Sequence, residues 1–122
     1  MTLLLVPSSS IEILNEQLSS ALNRWPNSAE LHYLQGRRLF NQEQYKEAES
    51  QFKIALELGL THHSLVYESL RLLALSAFYK GEYHESANRF QSMLERKDLA
   101  LLGGEIYELK LWKRKADFFF KY

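Results

Sequence analysis

Apolar residues recur at steps of three and four along most of this chain, the period at which an α-helix buries one face. Ile11, Leu14, Leu18, Ala21, Leu22 and Trp25 form the first such stripe. Ser8, Ser9 and Ser10 precede it, and Ser9 with Glu12 three residues on has the form of a capping box. A first helix is therefore predicted from near Ile11, ended by Pro26. Asn27 or Ser28 caps a second helix, with Leu31, Leu34, Leu39 and Phe40 as packing residues and Gly36 where a neighbouring helix comes nearest. It should stop near Asn41 or Gln42. A third helix from about Gln44 carries Tyr45, Ala48, Phe52, Ala55, Leu56 and Leu58, and Gly59 suits its left-handed cap.

The stretch from Leu60 to Ser64 reads as a loop. A fourth helix, Leu65 to Lys80, is so rich in Leu70, Leu72, Leu73, Ala74, Leu75, Ala77 and Phe78 that little polar face remains, so it is expected to be covered on both sides. Gly81 separates it from a fifth helix, about Tyr83 to Arg96, with Tyr83, Ala87, Phe90, Met93 and Leu94 inward. Leu99, Leu102, Ile106 and Leu109 continue at helical spacing, but Gly103 and Gly104 would each cost roughly 1 kcal/mol inside a helix. That places the start of a sixth helix near Glu105, lying over the end of the stack.

Composition agrees with an all-α fold, since Leu, Glu, Gln, Lys and Ala are many and β-branched residues, Gly and Pro are few. At 122 residues, 46% hydrophobic and 25% charged, the chain reads as one globular domain over residues 1–122. Fifteen basic residues balance fifteen acidic ones, so no global positive field favours nucleic acid. Without cysteine there is neither a disulfide nor a thiolate site. The run Leu3 to Val6 is too short for an export signal, and no apolar stretch approaches a bilayer span, so a soluble, cytoplasmic protein without membrane insertion is expected.

Gly36, Tyr45, Ala48, Phe52 and Ala55 place small residues where two antiparallel helices approach and aromatics where the space between them is filled. The stretch from Ala29 to Leu60 thereby resembles a tetratricopeptide repeat, a helix-turn-helix unit of about 34 residues that stacks on copies of itself. His32, Gln35 and Leu60 depart from the residues usual in that pattern. Stepping back by one unit puts Leu14, Leu18, Ala21 and Pro26 in the same frame. Stepping forward needs four extra residues around Thr61 to Ser64, after which Leu70, Leu73, Ala74, Gly81, Tyr83, Phe90 and Met93 fall into place. Ser86 stands where Ala is usual, with Ala87 beside it, which implies a slight re-registration. The resemblance implies a half repeat at 11–26, full repeats at 29–60 and 67–98, and a capping helix in 99–122. About six helices would then stack as antiparallel hairpins in a short right-handed superhelix.

In this family the first helices of successive repeats line a concave groove. The resemblance assigns to it Glu30, Tyr33, Arg37, Phe40 and Asn41 from one repeat and Glu68, Arg71, Leu75, Phe78 and Tyr79 from the next. It implies an adaptor or small chaperone that holds a helical or extended segment of another protein, with Arg37 and Arg71 selecting acidic neighbours. A self-associating structural subunit, hence a homo-oligomer, and a bacterial secretion-system chaperone are the alternatives. Lys and Asn, which grip a peptide carboxylate in some members, are replaced here by Tyr33 and Arg37, which argues against chaperone-tail binding. Trp112, Lys113, Arg114, Lys115, Phe118, Phe119, Phe120 and Tyr122 mix bases with aromatics, and Phe118 to Phe120 cannot all face one side of a helix.

Catalytic chemistry has no foothold in these residues. His62 and His63 are adjacent in a loop and His32 and His84 lie far off in the frame, so no metal site is expected. Glu43 with Glu47, and Glu105 with Glu108, are spaced as exposed helix faces are. No phosphate loop, serine elbow or zinc-protease helix occurs, so no catalytic residue and no cofactor is assigned.

Overall fold

The computed structural model describes residues 8–122, which fold into six α-helices and a short 3₁₀ turn, with no strand among them. The helices are α1 (Ser8–Arg24), α2 (Ala29–Asn41), α3 (Tyr45–Leu58), α4 (His63–Tyr79), α5 (Tyr83–Glu95) and α6 (Gly103–Lys121). Each packs on the next in chain order, and α2 also touches α4. Met1 to Val6, and the side chains of Ser9, Ile11 and Glu12, lie outside the described residues.

Local chemistry sets most of the boundaries. Ser28 caps α2, its Oγ accepting from the Leu31 N–H at 3.3 Å. Gly59 ends α3 at φ 97°, its N–H returning to the Ala55 carbonyl. Three starts differ from expectation, and the first is that of α1, which begins at Ser8 and not near Ile11. Helix α4 begins at His63, because the His62 carbonyl already accepts from the Leu65 and Val66 N–H groups, so the loop ends two residues sooner. Helix α6 begins at Gly103: both glycines occupy its first turn, where no interior hydrogen bond is at stake, and Glu105 turns back to accept from the Leu102 N–H at 2.9 Å.

The core runs between the hairpins α2–α3 and α4–α5 and on under α6. Ala48, Phe52, Ala55, Ala74, Phe90, Leu109 and Ala116 are fully buried there. Gly36 of α2 faces Phe52 of α3 so closely that a Cβ added to it would sit 2.7 Å from the ring. Each buried phenylalanine contributes about 1.5–3 kcal/mol of apolar transfer. Helix α4 is the most buried element, with seven residues from Ser69 to Ala77 shielded, and Ser86 Oγ donates to its Ala74 carbonyl at 2.8 Å.

The two hairpins turn alike. Glu43 N–H to Phe40 and Gln44 N–H to Leu39 in the first turn are matched by Gly81 N–H to Phe78 and Glu82 N–H to Ala77 in the second, all 38 residues apart. The next pair, Ala48 N–H to Gln44 and Ser86 N–H to Glu82, keeps that offset. Ser86 therefore occupies the same place as Ala48 without re-registration, because its hydroxyl is satisfied by the α4 backbone.

Helix α1 departs from its expected packing. Among the described residues its main contact is with α2, so Leu18, Ala21 and Leu22 are half-buried while Leu14 and Trp25 stay exposed. Leu34 and Leu58, also expected to pack, are exposed on the outer sides of α2 and α3. No helix among the described residues is long and apolar enough to cross a membrane.

Candidate functional site

Helices α2, α4 and α6 share one face, because α2 packs on α4 and side chains of α6 cross onto α4. The crossing joins polar and aromatic groups. Arg71 Nε of α4 donates to Glu108 of α6 at 2.6 Å and its Nη1 to Glu68 at 3.2 Å. Burial alone would lower the Arg71 pKa, but these two carboxylates hold it above the usual value. Trp112 of α6 stands edge-on to Phe78 and Tyr79 of α4, with ring centroids 5.3 and 6.3 Å apart. Phe119 meets Phe78 at 5.7 Å and stacks on Tyr83 at 5.4 Å.

The ring contacts continue across the face. Tyr79 lies 6.2 Å from Phe40 of α2 and stacks on Tyr45 at 5.4 Å, and Phe40 meets Tyr45 edge-on. Such arrangements are worth about 0.5–1.5 kcal/mol per pair beyond burial, so the ridge is held in shape before anything binds it. Tyr79 is 49% exposed, which leaves its ring available to a second molecule.

Each sequence-assigned residue has a definite place. Arg37 and Asn41 are exposed and Phe40 is half-buried on α2. Tyr33 is buried beneath them, with the Arg37 guanidinium 5.9 Å from its ring centroid. Burial pushes the Tyr33 phenol up, against the pull of the Arg37 charge. Leu75 is 4% exposed and belongs to the core, while Phe78 is covered by Trp112 and Phe119. Arg71 is engaged by Glu68 and Glu108. The accessible part of the assigned set is thus Arg37, Asn41 and Tyr79 with half-buried Glu30 and Phe40. Arg37 forms no ion pair among the described residues, in contrast to Arg71.

Sequence reasoning missed three participants. Lys115 of α6 lies 4.6 Å from the Trp112 ring centroid and places a second cation beside the aromatic ridge. His32 ties α2 to its surroundings, its Nε2 donating to the Pro26 carbonyl at 2.7 Å and its Nδ1 meeting the Gln51 amide at 2.8 Å. Glu49 of α3 is buried and bonded at 2.5 Å to both Lys80 and Arg89, while Arg89 also donates to the Leu73 carbonyl. Burial raises the Glu49 carboxyl pKa, but hydrogen bonds from the two cations outweigh it and hold the group below its usual range. The available signal was position: Glu49 falls between Ala48 and Phe52, inside the arc that α3 buries.

Among the described residues no three His, Asp or Glu side chains gather as metal ligands would. The fold and this surface define an all-helical stack of hairpins with an aromatic, cation-flanked face. No family model, curated protein or solved structure matches the chain.

Proposed function

We propose that this chain is a protein-interaction module of the tetratricopeptide type, a cytoplasmic adaptor or small chaperone that acts by binding alone. The observation that carries the reading is the aromatic ridge Phe40, Tyr45, Tyr79 and Trp112, spanning α2, α4 and α6 and flanked by Arg37 and Lys115. The 38-residue correspondence of the two hairpin turns supports a repeat reading as well. A helical or extended segment laid across α2, α4 and α6 would seat an apolar side chain on Tyr79 and Phe40 and direct its acidic neighbours to Arg37 and Lys115. Arg71 adds little selection, because Glu108 and Glu68 already neutralise it.

Site-specific photo-crosslinking tests this in cells. A benzophenone side chain in place of Asn41 should capture a discrete partner, one at exposed Lys53 of α3 should not, and Arg37→Glu should abolish the Asn41 adduct. Equal labelling from both positions, or an adduct indifferent to Arg37→Glu, overturns the reading. Self-association is the second reading, favoured by exposed Leu14 and Trp25 on α1. Sedimentation over a concentration series separates the two, since a mass that stays monomeric at tens of micromolar excludes an obligate assembly.

A further inference from the structure

Helix α6 has a second face, turned away from α4 and α5. Tyr107, Leu111, Arg114, Phe118 and Tyr122 recur there at steps of four and three, the spacing of a seam along one side of a helix. All four apolar members are open: Tyr107 is 71% exposed, Leu111 39%, Phe118 57% and Tyr122 89%. Exposed aromatic residues in register, as distinct from scattered ones, mark a contact surface.

Charge on the same helix is sorted. Each of its carboxylates is turned to a partner within the chain: Glu105 caps the Leu102 N–H, Glu108 holds Arg71 and Asp117 holds Lys113 at 2.9 Å. Arg114 within the seam and Lys110 and Lys121 along one edge of it are exposed and form no ion pair among the described residues. The seam therefore has an unneutralised positive border.

Those features select the occupant. In an antiparallel pairing of two α6 seams, Arg114 would face Arg114 and Lys115 of the second copy, a like-charge contact that disfavours self-pairing. A bilayer surface calls for a broad apolar face, whereas at 100° per residue Tyr107 to Tyr122 span only about 60° of the helix circumference. Phe119 and Phe120 do not widen it, being turned to Phe78 and Tyr83 and to His84. A narrow apolar seam with a cationic border fits one partner helix with an apolar stripe and acidic flanks. From this geometry we infer that the outer face of α6 docks an acidic amphipathic helix of another protein, separately from the α2–α4–α6 face.

A display library of helical peptides, randomised at the stripe and flanking positions and selected on the whole chain, tests the inference. Selected peptides should carry Asp or Glu beside a Leu or aromatic stripe and should perturb the amide signals of Tyr107, Leu111, Phe118 and Tyr122. Lys110→Glu with Arg114→Glu, both exposed and checked for unchanged helicity, should weaken them at least tenfold, and Lys-for-Glu peptides should recover the loss on that variant. Arg37→Glu should leave the affinity unchanged, so failure here is distinct from failure at the other face. Four results overturn the inference: no selected binder, binders without acidic flanks, co-flotation with phosphatidylserine vesicles while peptides fail, or a mass that rises with concentration through α6.

Discussion

Loss of Glu49 should loosen the joint between the two hairpins. Its carboxylate is 6% exposed and bridges Lys80 at the end of α4 to Arg89 of α5, so one side chain of the first hairpin fastens two elements of the second. Removing one partner of a buried ion pair typically costs about 3–5 kcal/mol. Here the two cations keep 23% and 21% of their side chains in water, and each retains another carboxylate, Glu82 or Glu85. That lowers the expectation for Glu49→Ala to about 2–3 kcal/mol, or about 8–12 °C in melting temperature for a chain of this length. Denaturant unfolding followed by circular dichroism measures it, and a double-mutant cycle with Arg89→Met should return a coupling of about 1–2 kcal/mol. A cycle that closes near zero, or a Glu49→Ala protein that melts with the parent, would show that solvent screens the bridge as it does on a surface.

The same bridge sets the sign of an acid effect. The folded Glu49 pKa lies below its unfolded value, so its contribution is fully present above an unfolded glutamate pKa of about 4.3 and is lost as pH falls through the folded value. Melting temperatures of the parent and of Glu49→Gln should therefore differ at neutral pH and draw together as pH falls from about 4.3 through the lower folded value. A gap that widened on acidification would contradict the assignment.

Two further substitutions probe the hairpins directly. Gly36→Ala places a methyl 2.7 Å from the fully buried Phe52 ring, and after its gain in helix propensity it should still destabilise by about 1–2 kcal/mol in urea unfolding; a neutral result would mean that α2 and α3 separate freely. Glu43 holds φ at 61° in the turn where its counterpart Gly81 holds 84°, so Glu43→Gly should raise stability by about 0.5–1 kcal/mol and Gly81→Ala lower it by a similar amount; matching signs for the two changes would refute the equivalence of the turns.

The helices and most of their ends were legible because the forces that set them are local. Pro26, the Ser28 cap, Gly59 and the period of the apolar residues act within a few positions of where they stand. The start of α6 was missed by applying an interior glycine cost to Gly103 and Gly104, which occupy a first turn. Leu14 and Trp25 were misplaced because a stripe predicts which side of a helix is apolar without saying whether anything covers it. The Glu49 bridge spans 31 and 40 residues to its partners, and a glutamate in a helix reads locally as surface charge.

The candidate surface shows the same division at the level of charge. Arg37 and Arg71 are both assigned to it, and within their own helices they differ only in that Arg71 has Glu68 one turn before it. What separates them further is α6, which brings Glu108 to Arg71 and supplies Lys115 beside Trp112, about two turns of helix that no local pattern ties to α4. The free positive charge is thereby moved from the middle of the face to its two margins, with the rings of Phe40, Tyr79 and Trp112 between them. A partner read by such a face would carry its acids at both ends of an apolar segment. Opening the bridge with Glu108→Gln should return Arg71 to the surface and shift preference toward a central acid, which a comparison of peptides with end-placed and central Glu would detect as a reversal of rank.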